Sequence, residues 1–374
     1  MHKTNLRRIL IAATAAGTVA VLPSTPALAR DVVACGTVLT ASVTLSADLV
    51  CIGDGLVIGA HGITVDMAGH SITGDGTGTA VKDHDFNDLA ITGGTIAGFA
   101  TGIDLFQALN VNLTDLTIRD GQAAKTVLAD NARFTNVDFR DTTVTLEHST
   151  PTDFTRITAN NTQFQVREDA NQTSFTKSHF FDSSIDGFEA DLVHIADNMF
   201  VRSPIGYRVT SRDWLIEDNS IVGADAGVTV GGASPRGRII NNKFLDNRVG
   251  VRVKVGFIDE ADGTVIADNF FIHNDAAGLL IDSGNVVNTP TVTIKHNKFT
   301  LNGFSPAGLT DHNGAPVADG AHIAAAAGSQ YVVADNLTIH NAQYGIFAVP
   351  GTVVDGGGNV SVTDPLGCSG VVCA

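Results

Sequence analysis

LVHIADNMF (192–200) has a pattern that recurs five more times downstream, in WLIEDNSIV (214–222), RIINNKFL (238–245), TVIADNFFI (264–272), VTIKHNKFT (292–300) and YVVADNLTI (331–339). All six segments place one Asn between alternating apolar residues: Asn198, Asn219, Asn242, Asn269, Asn297 and Asn336. The successive spacings of 21, 23, 27, 28 and 39 residues indicate a coil of about 22 residues, with insertions accumulating late in the chain.

Alternation on either side of each Asn predicts two short strands that meet at a bend. An Asn tolerates the left-handed conformation that a bend requires, and its amide can bond the Asn of the next coil. We therefore expect these residues to form a structural ladder. A glycine opens the next strand eight or nine residues after most of them, and Gly320 takes this place after a long insertion: Gly206, Gly227, Gly250, Gly278, Gly320 and Gly345.

Weaker copies of the pattern run back to GITVDMAGHSITG (62–74), which gives roughly twelve coils. We predict an all-β fold, a right-handed parallel β-helix that forms a single domain from residue 30 to residue 374. A leucine-rich repeat has a similar period, but its apolar positions are mainly Leu and many of its coils contain a helix. The apolar positions here mix Val, Ile and Phe, so we reject that alternative.

The N-terminus has the features of an export signal. Lys3, Arg7 and Arg8 precede an apolar run, and Ala27-Leu28-Ala29 is a cleavage site, so we predict a signal peptide over 1–29. The paired arginines leave a twin-arginine route open beside the general secretory route. Because no later segment reaches 18 apolar residues, we expect a secreted, extracellular protein without membrane insertion.

The chain is strongly acidic, with a net charge of -16. Without the three basic residues of the signal peptide, 20 bases face 39 acids, and the mature charge is near -19. Such a charge repels nucleic acid and anionic membranes, so a polyanion could bind only at a local basic patch. We expect a monomer with no nucleic-acid partner.

Four cysteines lie near the two ends of the mature chain. In an oxidising compartment the simplest pairing joins Cys35 to Cys51 and Cys368 to Cys373. Each bridge would then staple one end of the solenoid.

The opening CGTVLTASVTLSADLVCIGDGLVIGAHGITVDMAGHSITG (35–74) resembles that of secreted bacterial right-handed β-helix proteins of the pectin-lyase-like superfamily. The closing GCSGVVCA (367–374) resembles their terminal cysteine pair, so the resemblance covers essentially the mature chain. It implies the fold and leaves the activity open, because the superfamily includes lyases, hydrolases, epimerases and adhesins.

Motifs of two enzyme families in this superfamily are only partly present. The Arg-x-Pro-x-x-Arg motif of pectate lyases is broken, since Arg202 and Pro204 are followed by Arg208 one place late. Arg252-Val253-Lys254 reproduces the Arg-x-Lys of polygalacturonases, but the Asn-x-Asp, Asp-Asp and Gly-His-Gly elements are missing. The sequence therefore does not match a characterised enzyme family.

The repeat itself indicates a candidate site in the C-terminal coils. Two residues beyond each glycine, a side chain should point outward, which predicts one exposed row: Arg208, Thr229, Arg252, Leu280, His322 and Phe347. Lys254 and Asp282 come two residues later, and the long insertions 256–263, 283–290 and 303–319 lie on the same side. Such loops are where binding usually occurs.

This face suggests an enzyme that breaks a uronic-acid polymer by β-elimination, which needs a base near C5 and a cation against the carboxylate. The candidate catalytic residues are Arg252, Lys254 and His322 as bases and Arg208 as the neutralising cation. Asp282, Asp311 and His312 are candidate substrate-binding residues, and Asp259 and Asp262, with Asp282, could hold calcium. The alternatives are a glycoside hydrolase at the same face, a solvated, charge-alternating surface, and a non-catalytic protein that binds a glycan or the cell surface.

Overall fold

A computed structural model describes residues 33–208, 211–231, 234–255, 263–283, 291–324 and 329–374. The expected signal peptide and the calcium candidates Asp259 and Asp262 lie outside these residues. The described part of the chain consists of strands, turns and bends. It holds no helix that is long and apolar enough to cross a membrane.

The chain winds into a parallel β-solenoid of about 14 turns, which confirms the predicted right-handed β-helix. Each complete turn contributes to three sheets, and each strand pairs in parallel with the strand at the same place in the next turn. The number of turns exceeds the predicted twelve because some turns lack the Asn signature. The turn that begins with Thr152–Thr155 is one of these.

Sheet 1 contains the candidate face, and its strands are Thr37–Leu39, Leu56–Ile58, Thr79–His84, Thr101–Phe106, Gln122–Val127, the ends of Asp138–Glu147 and Thr158–Arg167, Ser184–Phe188, Ile205–Arg208, Ala226–Gly231, Val249–Val255, Ala277–Ser283, Asp319–Ala324, Ile346–Ala348 and Cys368–Ser369. Sheet 2 contains Val43–Thr44, Thr64–Asp66, the starts of Ala90–Ala97 and Asn112–Arg119, Ala132–Thr135, Thr152–Thr155, Thr173–Thr176, His194–Ala196, Leu215–Glu217, Arg238–Ile240, Thr264–Ala267, Val292–Lys295, Tyr331–Ala334 and Val353–Gly357. Four long strands pass around a corner and contribute to two sheets each: Ala90–Ala97, Asn112–Arg119, Asp138–Glu147 and Thr158–Arg167. Sheet 3 contains the remaining parts of these four strands, together with Leu49–Val50, Ser71–Thr73, His179–Phe181, Met199–Val201, Ser220–Val222, Lys243–Leu245, Phe270–Ile272, Lys298–Thr300, Leu337–Ile339 and Val360–Val362.

Like side chains stack on one another inside the solenoid because successive turns keep the same register. The rings of Phe244 and Phe271 are 4.9 Å apart, and those of Phe271 and Phe299 are 4.8 Å apart, with near-parallel planes. All three side chains are buried. Each offset pair contributes roughly 0.5–1.5 kcal/mol beyond the burial of its apolar area.

The predicted Asn ladder is present and continues to Asn359. Each amide nitrogen donates to the Oδ1 of the next Asn at 3.0–3.1 Å. A second buried ladder at the next corner was not predicted; it consists of Asn247, Asn274, Asn302 and Asn341 and ends on Asp364.

The conformation expected of the ladder Asn was wrong. The left-handed residue is the one before it, for example Asp218 with φ 56° and Asp268 with φ 58°. Two consecutive residues of the bend therefore have different roles. An exposed residue makes the left-handed turn, and the following Asn points inward to bond the adjacent turns.

The glycine row runs through Gly227, Gly250 and the later members, where backbones approach closely. A Cβ on Gly250 would lie 2.5 Å from the carbonyl oxygen of Gly278. Gly206 does not belong to this row, because it pairs with Thr229, which in turn pairs with Arg252. The expected alignment of Arg208 with Arg252 is therefore wrong by two residues.

Two disulfides confirm the predicted cysteine pairing. Cys35 and Cys51 are joined across a Cα–Cα distance of 5.5 Å, and Cys368 and Cys373 across 6.0 Å. Each closes a short loop near one end of the described chain.

The insertion that follows Lys298–Thr300 covers part of the outer face of sheet 1. Leu280 lies there in a second apolar cluster, apart from the interior core, with Val249, Val317 and Leu309. The expectation that Leu280 and His322 are exposed is therefore wrong: their exposed fractions are 0% and 1%. Both point away from the solenoid, but the insertion shields them from solvent.

A buried His322 fastens this insertion to the sheet. Its Nδ1 lies 2.7 Å from Asp319 Oδ2, and its Nε2 lies 3.2 Å from Asp311 Oδ2. The ring also stacks on Phe347 at 4.7 Å. Burial alone would raise the pKa of Asp311, but hydrogen bonds from the Ala315 N–H and from His322 outweigh it, so its pKa lies below the ordinary value. We name this Asp311–His322–Asp319 arrangement the clasp.

One carboxyl group lies inside the core of the N-terminal turns. Asp83 is fully buried and accepts a hydrogen bond from the Phe86 N–H at 3.3 Å. Its Oδ2 has no partner among the residues that the structure describes. Burial raises the pKa of Asp83 to about 6, because an ionised carboxylate loses its hydration there.

We predict that Asn269→Ala lowers the free energy of unfolding by roughly 1–3 kcal/mol, because it leaves buried polar groups of the neighbouring turns unsatisfied. Asn160→Ala is the control, since the Asn160 side chain makes no hydrogen bond to another described residue and should matter little. Urea midpoints of both variants measure the effect. Equal midpoints would contradict a stabilising ladder.

We predict that Asp83→Asn stabilises the protein at pH 7.5, by on the order of 2 kcal/mol. The folded-state pKa exceeds the unfolded one, so the stability that protonated Asp83 provides is complete below pH 3.8 and is lost as the pH rises through about 6. Thermal unfolding from pH 4 to pH 8 should show the advantage of Asn growing over this interval. Asp169→Asn, at an exposed carboxylate of a later turn, is the control, and an advantage of Asp83→Asn that is independent of pH would contradict this prediction.

We predict that His322→Phe detaches the insertion, because it leaves two buried carboxylates without their partner, a loss of about 3–5 kcal/mol. Hydrogen exchange of residues 303–317 should accelerate, and limited proteolysis should cut there first. His194→Phe breaks the half-exposed contact between His194 and Glu217 and is the control, with an expected loss under about 1 kcal/mol. Unchanged protection of 303–317 would show that the clasp does not hold the insertion.

Candidate functional site

Three neighbouring strands of sheet 1 bring most of the predicted site residues together. Register places Arg252 beside Leu280 and Leu280 beside His322. Lys254 lies beside Asp282 in the same way. Arg208 ends a strand two turns earlier, and its side chain lies outside what the structure describes.

Arg252 and Lys254 are cations without a charged partner in the described part of the chain. Arg252 is half-buried, and its enclosed Nε has no hydrogen-bond acceptor among the residues that the structure describes. Lys254 is exposed at the next outward position of the strand. An arginine presents a planar fork of donors that matches a carboxylate, and a lysine adds a flexible point charge. The pair is therefore a local positive feature on a strongly acidic protein.

His312 and Asp282 form a second polar feature beside these cations. Asp282 Oδ1 lies 2.8 Å from the ring Nδ1 of His312 and accepts the backbone N–H of His312 at 3.1 Å. The exposed fractions of the side chains are 30% for His312 and 16% for Asp282. A carboxylate on Nδ1 favours the tautomer with the proton there, which leaves Nε2 as the free base.

Two members of the clasp, Asp311 and His322, were expected on the open face as a substrate-binding residue and a base. Asp311 and His322 lie under the insertion, and both nitrogens of His322 face carboxylates. Asp319, the third member, was not among the site residues predicted from the sequence. The available signal was two polar residues, Asp319 and His322, in an otherwise apolar strand.

The proposed calcium ligands divide between described and undescribed residues. Asp282 is described, and its carboxylate bonds His312. Asp259 and Asp262 fall in the stretch 256–262, outside the described residues. Within the described ranges, no group of three or more His, Cys, Asp or Glu side chains is placed to hold a metal ion.

The arrangement can attract and orient an anion and can accept a proton close to it. Arg252 and Lys254 supply positive charge on adjacent outward positions. The free Nε2 of His312 supplies a base, oriented through Asp282. These are the elements that proton abstraction next to a carboxylate requires.

Comparison with known proteins identifies the repeat. A family model described as a right-handed β-helix region matches residues 164–319. A search of curated proteins finds no match.

Several solved structures are similar at low identity. A mannuronic-acid-specific family 6 polysaccharide lyase from human gut microbiota has 15% identity and a TM-score of 0.45, over 69% of this chain and 75% of that chain. The A-module of the mannuronan C-5 epimerase AlgE6 of Azotobacter vinelandii has 11% identity and a TM-score of 0.40, over 89% and 90%. A mutant of the periplasmic alginate epimerase AlgG has 10% identity and a TM-score of 0.39, over 89% and 77%.

Likenesses this distant carry nothing about the activity of this chain. The family match, the parallel pairing of every turn and the corner ladders together establish the architecture. The chain is a right-handed parallel β-helix repeat protein, and the comparisons assign it to none of the enzyme families of this fold.

Proposed function

We propose that this protein is secreted and acts on an extracellular uronic-acid polymer as a lyase, at the face formed by Arg252, Lys254 and His312. The observation that carries the proposal is the position of the His312–Asp282 pair next to Lys254, with Arg252 two residues away. A base with one free ring nitrogen thus lies beside two cations that have no carboxylate partner among the described residues.

Arg252 and Lys254 would bind the carboxylate of one sugar unit and neutralise it. Neutralisation acidifies the C5 proton, because the carbanion that forms is delocalised into the carboxyl group as an enolate. His312 Nε2 takes that proton. The electron pair then forms the C4–C5 double bond as the C4–O bond breaks, and the departing oxygen takes a proton from water.

Asp282 acts through His312 as a positioning residue. It holds Nδ1–H, so that Nε2 faces the substrate, and it stabilises the imidazolium that forms after proton transfer. The clasp fixes the insertion that contains His312, since Asp311 precedes His312 directly. His322 has no base role in this proposal because both its nitrogens are engaged.

Arg208 and calcium are further parts of the proposal. Arg208 is the neutralising cation for a sugar unit bound nearer the N-terminus, on the same sheet. Asp259 and Asp262 are proposed calcium ligands on the ground of their chemistry, since calcium prefers carboxylate oxygens. Removal of calcium with a chelator tests this part separately.

Secretion rests on the signal peptide predicted for residues 1–29 and on the two disulfides, which persist in oxidising compartments. A non-catalytic glycan-binding protein is the second candidate function. The enclosure of His322 favours it, because the burial removes one of the three predicted bases from contact with a polymer.

We predict that the wild type produces unsaturated uronate from polymannuronate, polyguluronate, pectate or a glycosaminoglycan, detected by ultraviolet absorbance. His312→Ala should lower kcat by about 10²–10⁴, as expected for loss of a general base. Arg252→Ala should raise KM and lower kcat. His179→Ala, at an exposed histidine on sheet 3, is the control.

The outcomes separate the two candidates. Binding of one of these polymers without product, weakened by Arg252→Ala, would support the non-catalytic protein and exclude the lyase. Neither binding nor product on any of them would exclude both. Full activity of His312→Ala would exclude the assigned base.

A further inference from the structure

A concave site lies on the middle turns, apart from the face at Arg252. It is a cleft of about 450 Å³ at the corner where sheet 3 passes into sheet 1. Its lining is made almost entirely of hydroxyl and amide side chains, together with one ion pair. This volume is within the range of small-molecule sites.

The cleft exists because four successive turns take this corner with fewer residues than their neighbours. From the corner residue Ser183 to the next core residue, Ile185, the chain advances two positions, and Thr142, Thr162 and Ser203 do the same. From Asn247 to Val251, in a later turn, it advances four. On the other side, the register shifts between Gln122 and Ala124. Four short corners between longer ones leave a notch in the surface.

The floor of the cleft consists of buried side chains that are already hydrogen-bonded within the protein. Ser183 Oγ donates to the Phe181 carbonyl at 2.8 Å and accepts the Thr162 N–H at 3.0 Å. Ser203 Oγ accepts the Ser183 N–H in the same way, at 3.0 Å. These small buried side chains shape the notch and have little remaining capacity for a ligand.

The wall, in contrast, presents free polar groups in a regular row. Thr143, Gln163 and Ser184 lie in register on three successive strands. Gln165 donates to Gln163 Oε1 at 3.0 Å, so the Nε2 of Gln163 remains available as a donor. Among the described residues, that Nε2 and the hydroxyls of Thr143 and Ser184 have no partner.

The charges at the cleft cancel. Arg202 Nε and Nη2 each lie 2.6 Å from a carboxylate oxygen of Asp182, so the guanidinium and the carboxylate satisfy each other. A lone anion or cation therefore finds no uncompensated partner there. A ligand rich in neutral donors and acceptors matches the free hydroxyl and amide groups of the wall.

We propose that this cleft is a binding site for a neutral saccharide of one or two units. The site is independent of the proposed lyase face. The strand of Ser184 lies three turns before that of Arg252, through the pairs Asp186–Gly206, Gly206–Thr229 and Thr229–Arg252. At about 4.8 Å per turn, the two sites are separated by about 14 Å along the axis.

Cellobiose, mannobiose and diacetylchitobiose are the probes, titrated into the full-length mature protein by calorimetry and ligand-observed NMR. At least one should bind, with a Kd on the order of 1 mM. Gln163→Ala and Ser184→Ala should each weaken that binding about five-fold, as expected for one lost hydrogen bond. Ser184→Phe should abolish it by filling the cleft.

Thr293→Ala, an outward-facing threonine on sheet 2, is the control and should bind as the wild type does. Arg252→Ala should also leave disaccharide binding unchanged, which separates this site from the proposed lyase. Absence of binding by all three disaccharides up to about 50 mM would overturn the proposal. Binding that survives both Gln163→Ala and Ser184→Ala would do so as well, and these variants decide the matter if Ser184→Phe does not fold.

Discussion

Parallel pairing between turns is the constraint on which the structure depends. A strand of this solenoid has its hydrogen-bond partners in the preceding and following turns, so successive turns must keep their strands in register. Buried corner groups face the same requirement, and side chains that can both donate and accept meet it. Asn does this in the late turns and Ser or Thr in the middle ones. The shape of the surface follows from how many residues each corner uses.

Function is expected where the repetition fails. The insertion around Leu309 and Val317 covers sheet 1 with a small apolar cluster of its own and brings His312 to Asp282. The four short corners near Ser183 leave the polar cleft. Both features are departures from the regular turns, and hydrogen bonds to those turns fix their positions.

The repeat made the architecture predictable, because Asn198 to Asn336 recur with the same apolar neighbours. The second ladder, from Asn247, is harder to see in the sequence, because the middle turns use Ser or Thr instead and the residue before each Asn varies: Asp246, His273, Leu301 and His340. The positions of Arg252, Lys254 and Asp282 relative to the repeated glycines predicted that these charged residues share one face. The burial of His322 could not be predicted, because it depends on how the insertion that contains Asp311 packs on the sheet. The pairing of Asp282 with His312 spans 30 residues and leaves no local pattern.

A crystal structure of the protein with an unsaturated-end uronate oligosaccharide would show whether a uronate binds at Arg252, Lys254 and His312. We expect a sugar carboxylate within hydrogen-bond distance of Arg252 or Lys254, with C5 of the same unit facing Nε2 of His312. An oligosaccharide bound elsewhere on the solenoid, with Arg252 and His312 free of contact, would contradict it.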